Sequence, residues 1–196
     1  MSNIVTLDDV HYQEHILQGV SRTFALTIPQ LPPALREVVG NAYLLCRIVD
    51  TVEDDSALTL EQTRELAEMF IEVVSGTVEA ETFARSLYPL LSEHTIPAEH
   101  ALIKHTPSVI RMTHSFTPVQ RQALDRCIRI MGHGMAASQE SESLSGLEDL
   151  AEMDRYCYHV AGVVGEKLTE LFCDYSPEIN QHKPTLMQLS VSFGQG

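Results

Sequence analysis

NAYLLCRIVDTVEDD, residues 41–55, starts apolar and turns acidic: five of its last six positions are polar, and four of those are carboxylates. At 3.6 residues per turn, Tyr43, Arg47, Asp50 and Asp54 fall at i, i+4, i+7 and i+11 on one stripe, with Glu53 beside it. Leu45, Ile48, Val49 and Val52 form the opposite, apolar face. That period is helical, and Pro32-Pro33 suits its first turn, so the stretch predicts a long helix over roughly 33–56. Its polar stripe has two readings. One is the wet face of an ordinary amphipathic helix. The other is a carboxylate group for a divalent metal. Asp50 and Asp54 repel one turn apart unless a cation sits between them, and acids near a helix C-terminus oppose its dipole. Mg²⁺ prefers hard oxygen ligands and keeps several waters, so a few carboxylates plus substrate phosphates suit it. Arg47 could pair with Asp50 or Asp54, or grip a phosphate with its planar fork. Periodicity alone leaves both readings open.

Helix signals continue on either side. Asp8 or Asp9 can open a first helix running to about Gly19. Thr59 and Gln62 make a capping box ahead of Leu66, Met69, Phe70 and Val73, and Thr117 with Gln120 repeats that signal before a helix of about 118–140. Another helix is expected over about 147–173, and a last one from Pro184, while 77–82 and 141–146 read as loops. No alternating strand pattern appears. The expected fold is all-α, a helical bundle in a single domain covering 1–196.

The chain is 44% hydrophobic and 20% charged, ordinary for a globular protein, but its net charge is −14 with only three lysines, Lys104, Lys167 and Lys183. A field of that sign, with no basic cluster, argues against nucleic acid as a partner and is compatible with binding Mg²⁺. Cys46, Cys127, Cys157 and Cys173 fall in helical stretches with no CxxC pair, which predicts buried thiols in a reducing compartment. No signal peptide is read at the N-terminus, and no window reaches the ~18 apolar residues of a membrane span, so a cytoplasmic protein is expected.

Three helical stretches carry interior glycines: 131–137, 160–166 and 192–196. Each interior Gly costs about 1 kcal/mol relative to Ala. Either the helices approach closely there, or the absent side chains leave room for an apolar ligand. Other apparent motifs carry less. His11-Tyr-Gln-Glu14-His15 fits H-x-x-E-H but needs a third ligand from elsewhere, and no Glu-x-x-His tetrapeptide supports a di-iron bundle. Glu148, Asp149 and Glu152 suit a solvated helix start, and His133 and His159 suit core or cavity positions better than metal ligation.

Four blocks occur in order: Ser21-Arg22-Thr23-Phe24; Tyr43 to Asp55; Met131-Gly-His-Gly-Met135-Ala; and Tyr156-Cys-Tyr-His-Val-Ala-Gly-Val-Val-Gly165. Together they resemble the squalene/phytoene synthase family of head-to-head prenyl synthases, squalene synthases more than phytoene synthases, over nearly the whole chain. The resemblance implies an isoprenoid-synthase-type bundle around a central cavity, in which Asp50, Glu53 and Asp54 hold Mg²⁺ against an allylic diphosphate, Asp50 and Asp54 directly. It places Ser21 and Thr23 at the diphosphate, with Arg22 and Phe24 in the same substrate-binding block. Tyr43 and Arg47 come near the departing diphosphate, and Tyr156 becomes the active-site tyrosine. Gly162 and Val163 would border the substrate, with farnesyl chains lying among the glycines.

The implied reaction joins two farnesyl diphosphates through presqualene diphosphate to squalene, with hydride from NADPH. Alternatives in the same fold end at dehydrosqualene or phytoene, and a non-catalytic prenyl-diphosphate-binding protein is a third. Peripheral membrane contact for product release is also implied. The family carries a second aspartate-rich motif on a later helix, and Cys173-Asp-Tyr-Ser-Pro-Glu178 has neither the spacing nor the context to replace it. The chain stops at Phe193-Gly-Gln-Gly196, so part of a longer polypeptide, inactive alone, is expected.

Overall fold

The computed structural model describes residues 5–141 and 149–196, with the side chains of 140 and 141 excepted. Its elements are α1 (Leu7–Val20), α2 (Phe24–Thr27), α3 (Pro33–Asp54), α4 (Leu60–Ser75), α5 (Ala80–Leu87), α6 (Pro97–Lys104), α7 (Thr106–Ser115), α8 (Pro118–Ser141), α9 (Leu150–Cys157), α10 (Val163–Tyr175), α11 (Pro177–Asn180) and α12 (Lys183–Gln195). No strand occurs among the described residues, as the all-α reading requires.

Local chemistry sets the boundaries. Thr6, rather than Asp8 or Asp9, caps α1; its side chain accepts from the Asp9 amide while Asp9 reciprocates, a complete capping box. Asp9 is the buried member of an ion pair with Arg111 of α7, so the residue expected to start the helix instead ties it to the bundle. Thr59 and Gln62 form the expected box on α4, which ends on Gly76 at φ 87°, the left-handed conformation that favours glycine. The loop expected at 77–82 ends early, because α5 begins at Ala80. Asp149 caps α9 through the Glu152 amide, in keeping with a helix start there; Glu148, Leu147 and most of the 141–146 loop lie outside the described residues.

The helix expected over 147–173 is two helices, α9 and α10, joined by a π-helical turn at Tyr158–Gly162. Backbone dihedrals stay helical through the junction, so only the hydrogen-bond register changes. Such π turns frequently mark functional sites.

The opening stretch lies at the centre. Along α3, Leu44, Leu45 and Ile48 are fully buried, and the helix packs against α1, α4, α6, α7, α8 and α10. Asn41 anchors it: its amide nitrogen donates to the Val109 carbonyl (2.9 Å) and to Gln13 (3.2 Å), while Thr113 donates to its oxygen (2.8 Å). A buried amide satisfied on both ends fixes the rotation of α3 about its axis, and so the direction of the acidic stripe.

The glycines answer the question left by their spacing. A Cβ on Gly165 would overlap the Ser190 carbonyl oxygen and lie 2.7 Å from the Gly194 nitrogen, so α10 and α12 meet backbone to backbone. A Cβ on Gly134 would collide with the His159 ring. Close packing is the operative reason, and protein atoms take the space expected for farnesyl chains. Three cysteines are buried as expected, but Cys157 is only half-buried. Among the described residues no helix is long and apolar enough to cross a membrane.

Candidate functional site

The site is built along one face of α3, beginning at the turn after α1. Ser21 is buried and its hydroxyl accepts from the Phe24 amide (3.0 Å), closing the turn into α2. Arg22, Thr23 and Phe24 are exposed there. The Phe24 ring lies 5.2 Å from the Tyr43 ring, and the Tyr43 hydroxyl donates to the Val20 carbonyl (3.0 Å). The first two sequence blocks are therefore one contiguous surface, with Tyr43 oriented by a backbone hydrogen bond.

One turn on, Arg47 forms an ion pair with Glu99 of α6 and a looser one with Asp50, at 3.8 Å. Glu99 was not among the residues singled out from sequence. Beyond lie Asp50 and Glu53, half-buried, and Asp54, exposed. Burial pushes the Asp50 carboxyl up to about 7; the neighbouring charge at Cys46 adds to this, Arg47 opposes it, and Asp54 and Glu53 raise it further. Burial raises Asp54 as well, with Arg47 pulling it down and Glu99 pushing it up. Asp55, the last acid of the stretch, does a different job. Buried, it accepts from the Ala57 and Ser92 amides (both 2.9 Å) and from the Thr95 hydroxyl (2.6 Å), which clamps the turn after α3 and holds its carboxyl below the ordinary value despite burial.

The charges at this end of α3 act on Tyr156 of α9, more than a hundred residues on. Burial raises its phenol, and the charges of Glu53, Asp54 and Asp50, in that order, raise it further. Gln139 of α8 donates to the Glu53 carbonyl (2.8 Å), so a third helix is tied to the same end. Gly162 and Val163 follow on the π turn and α10, where Val163 is fully buried and Gly162 lies against Tyr158 and Val191.

The remaining sequence features fall elsewhere. His11, Glu14 and His15 all face solvent on α1. His133, expected in core or cavity, is exposed and bonded to Glu68 of α4 (2.8 Å), because Gly132 rather than His133 faces Ile71 across the α4–α8 contact. His159 is half-buried in the space left by Gly134.

The carboxylates fit a magnesium ion in one particular way. Among the described residues no three His, Cys, Asp or Glu side chains converge to cage a metal. Two carboxylates crowded on one helical face, with Asp50 already strained toward protonation, supply what Mg²⁺ takes from a protein when water and phosphate complete its shell.

Residues 17–196 match the family described as squalene/phytoene synthase. The chain is 32% identical over 158 residues to the squalene synthase of Eremothecium gossypii, covering 80% of this chain and 34% of that one. It is 32% identical over 190 residues to squalene synthase clz20 of Cochliobolus lunatus, covering 95% and 43%. A solved structure named as the complex of TcSQS with ligand BPH1237 superposes with a TM-score of 0.77 at 25% identity, covering 94% of this chain and 51% of that chain. The chain thus spans less than half the length of these two curated relatives.

Proposed function

The chain belongs to the squalene/phytoene synthase family, and on that premise we propose that its protein is a head-to-head prenyl transferase that joins two farnesyl diphosphates through presqualene diphosphate to squalene. The observation carrying this reading is the acidic end of α3, where half-buried Asp50 and Glu53 lie beside Arg47 and Gln139 of α8 is bonded to the Glu53 carbonyl; the charges of Asp50, Glu53 and Asp54 also act on Tyr156 of α9. Sequence spacing does not require that arrangement, and a mere solvated helix face has no use for it.

In this reading Asp50 and Asp54 hold Mg²⁺, with Glu53 alongside. When bound, Mg²⁺ supplies positive charge to the leaving diphosphate. Arg47, whose guanidinium cannot lose its charge at neutral pH, adds fixed positive charge at the same place. Tyr43, Phe24 and the Ser21–Thr23 turn border the entering diphosphate end. Tyr156 presents a phenol kept protonated first by burial and then by its acidic neighbours, suited to hold or return a proton and to face a carbocation with its ring. NADPH supplies the hydride where squalene is the product, and no residue of the chain is assigned to hold it. Peripheral contact with a membrane surface serves release of so apolar a product.

Incubating the full-length protein with farnesyl diphosphate and Mg²⁺, with and without NADPH, tests the reading. Squalene formed only with NADPH supports it; identical products either way assign the protein to the dehydrosqualene or phytoene branch. Asp50→Asn and Asp54→Asn are each expected to lower turnover by about a hundredfold or more, with helical content unchanged. Turnover unaffected by both would leave a helical protein that binds prenyl diphosphates without catalysis.

A further inference from the structure

Glu99 sits in the first turn of α6, where the helix dipole favours its charge, and is 9% exposed. It is 52 residues from Arg47 in sequence, and its carboxylate takes the Arg47 Nη2 group. The Nη1 group of Arg47 stays 3.8 Å from Asp50, and its Nε is buried with no hydrogen-bond partner. The guanidinium thus sits against Glu99, at arm's length from Asp50, in a recess of about 140 Å³ lined also by Thr51, Asp54, Ser92 and Thr95. Nothing in the covalent geometry of α3 asks for this. Asp50 lies three residues on, within reach of the same side chain, and a free arginine favours a two-pronged grip on such a carboxylate.

We propose that Glu99 is a positioning residue: it holds the Arg47 guanidinium off Asp50, so that the Asp50 oxygens stay open to a divalent cation. This rests on the metal-dependent function argued above. It predicts that a neutral residue at position 99 releases Arg47 to close on Asp50, and metal affinity falls although no ligand has been removed.

The test is Mn²⁺ binding to the full chain in the presence of inorganic pyrophosphate, read from the electron paramagnetic resonance of free Mn²⁺. E99Q is expected to weaken binding about tenfold, one salt-bridge-sized change in free energy. In an R47Q background the same substitution is expected to change binding by less than about twofold, since Glu99 then has nothing to hold. Equal weakening in both backgrounds, or wild-type affinity in E99Q, overturns the proposal. If E99Q does not fold, as judged by circular dichroism, E99D carries the test: its shorter arm is expected to weaken binding about two- to fivefold, and wild-type affinity overturns the proposal. A wild-type chain that binds no Mn²⁺ at all fails the metal reading itself, an outcome distinct from failure at Glu99.

Discussion

Asp50 combines two demands that oppose each other in the absence of metal. Its carboxyl is raised from 3.8 to about 7 in the folded chain, chiefly by burial, while its side chain keeps 30% of its exposure. The folded protein therefore binds that proton more tightly than the unfolded chain does. This group's contribution to stability is greatest in acid and is lost as pH rises through about 7. A divalent cation reverses the preference, because it needs the ionised carboxylate and displaces the proton. Cation-induced stabilisation is accordingly expected to be larger at about pH 8 than at about pH 5.5, and binding to release protons in unbuffered solution. Differential scanning fluorimetry with Mg²⁺ at both pH values checks this; equal shifts would remove Asp50 from the metal site. Asp50→Asn is expected to flatten the pH dependence as well as the response to cation.

At the scale of helices, the least expected contact is the burial of Lys167 of α10 against α3. Its ammonium, 2% exposed, donates to the Cys46 sulfur (3.1 Å) and approaches the Ala42 carbonyl (3.5 Å). A buried ammonium needs an anion. A hydrogen bond with Cys127, then Lys167, lowers the Cys46 thiol against the pull of burial, which favours the thiolate at Cys46 over Cys127. A depressed thiol stabilises the fold above its ordinary pKa and loses that contribution as pH falls through about 6. Lys167→Met is expected to abolish the ultraviolet absorbance of the thiolate at neutral pH while changing stability by less than about 1 kcal/mol, since Cys46 takes up a proton once its cation is gone and no buried charge is left unpaired. Lys167→Ala leaves a cavity and is expected to cost about 2–5 kcal/mol in urea unfolding. A thiolate band that persists in Lys167→Met would show that another group holds the charge. The same scale explains what sequence could reveal. The α3 stripe was legible because a single helix's periodicity encodes it, and α4 because its capping box is local. Helices α6 and α7 were not read, being eight and ten residues long and separated by His105 alone. The π turn was invisible, since no Gly–Pro signal accompanies a change of register. Glu99 was beyond reach because its role is a contact across 52 residues.

For the whole molecule, charge decides how an anionic substrate arrives. With 27 acidic and 13 basic side chains, the net charge of −14 repels a diphosphate before any contact forms. The single charge of Arg47, paired with Glu99, does not reverse a field of that size. Metal and diphosphate affinities should therefore depend on salt in opposite directions. Raising ionic strength from about 20 mM to about 500 mM shortens the Debye length severalfold and screens the acidic field. Mn²⁺ affinity is expected to weaken by about fivefold or more over that range, while the weak binding of inorganic pyrophosphate without metal is expected to strengthen. With Mn²⁺ saturating, the salt trend should flatten, because one divalent cation cancels the two charges at Asp50 and Asp54. Isothermal titration calorimetry at the two salt concentrations separates the cases. Pyrophosphate binding that weakens with salt in the absence of metal would mean that basic groups, rather than the carboxylates and their cation, receive the diphosphate.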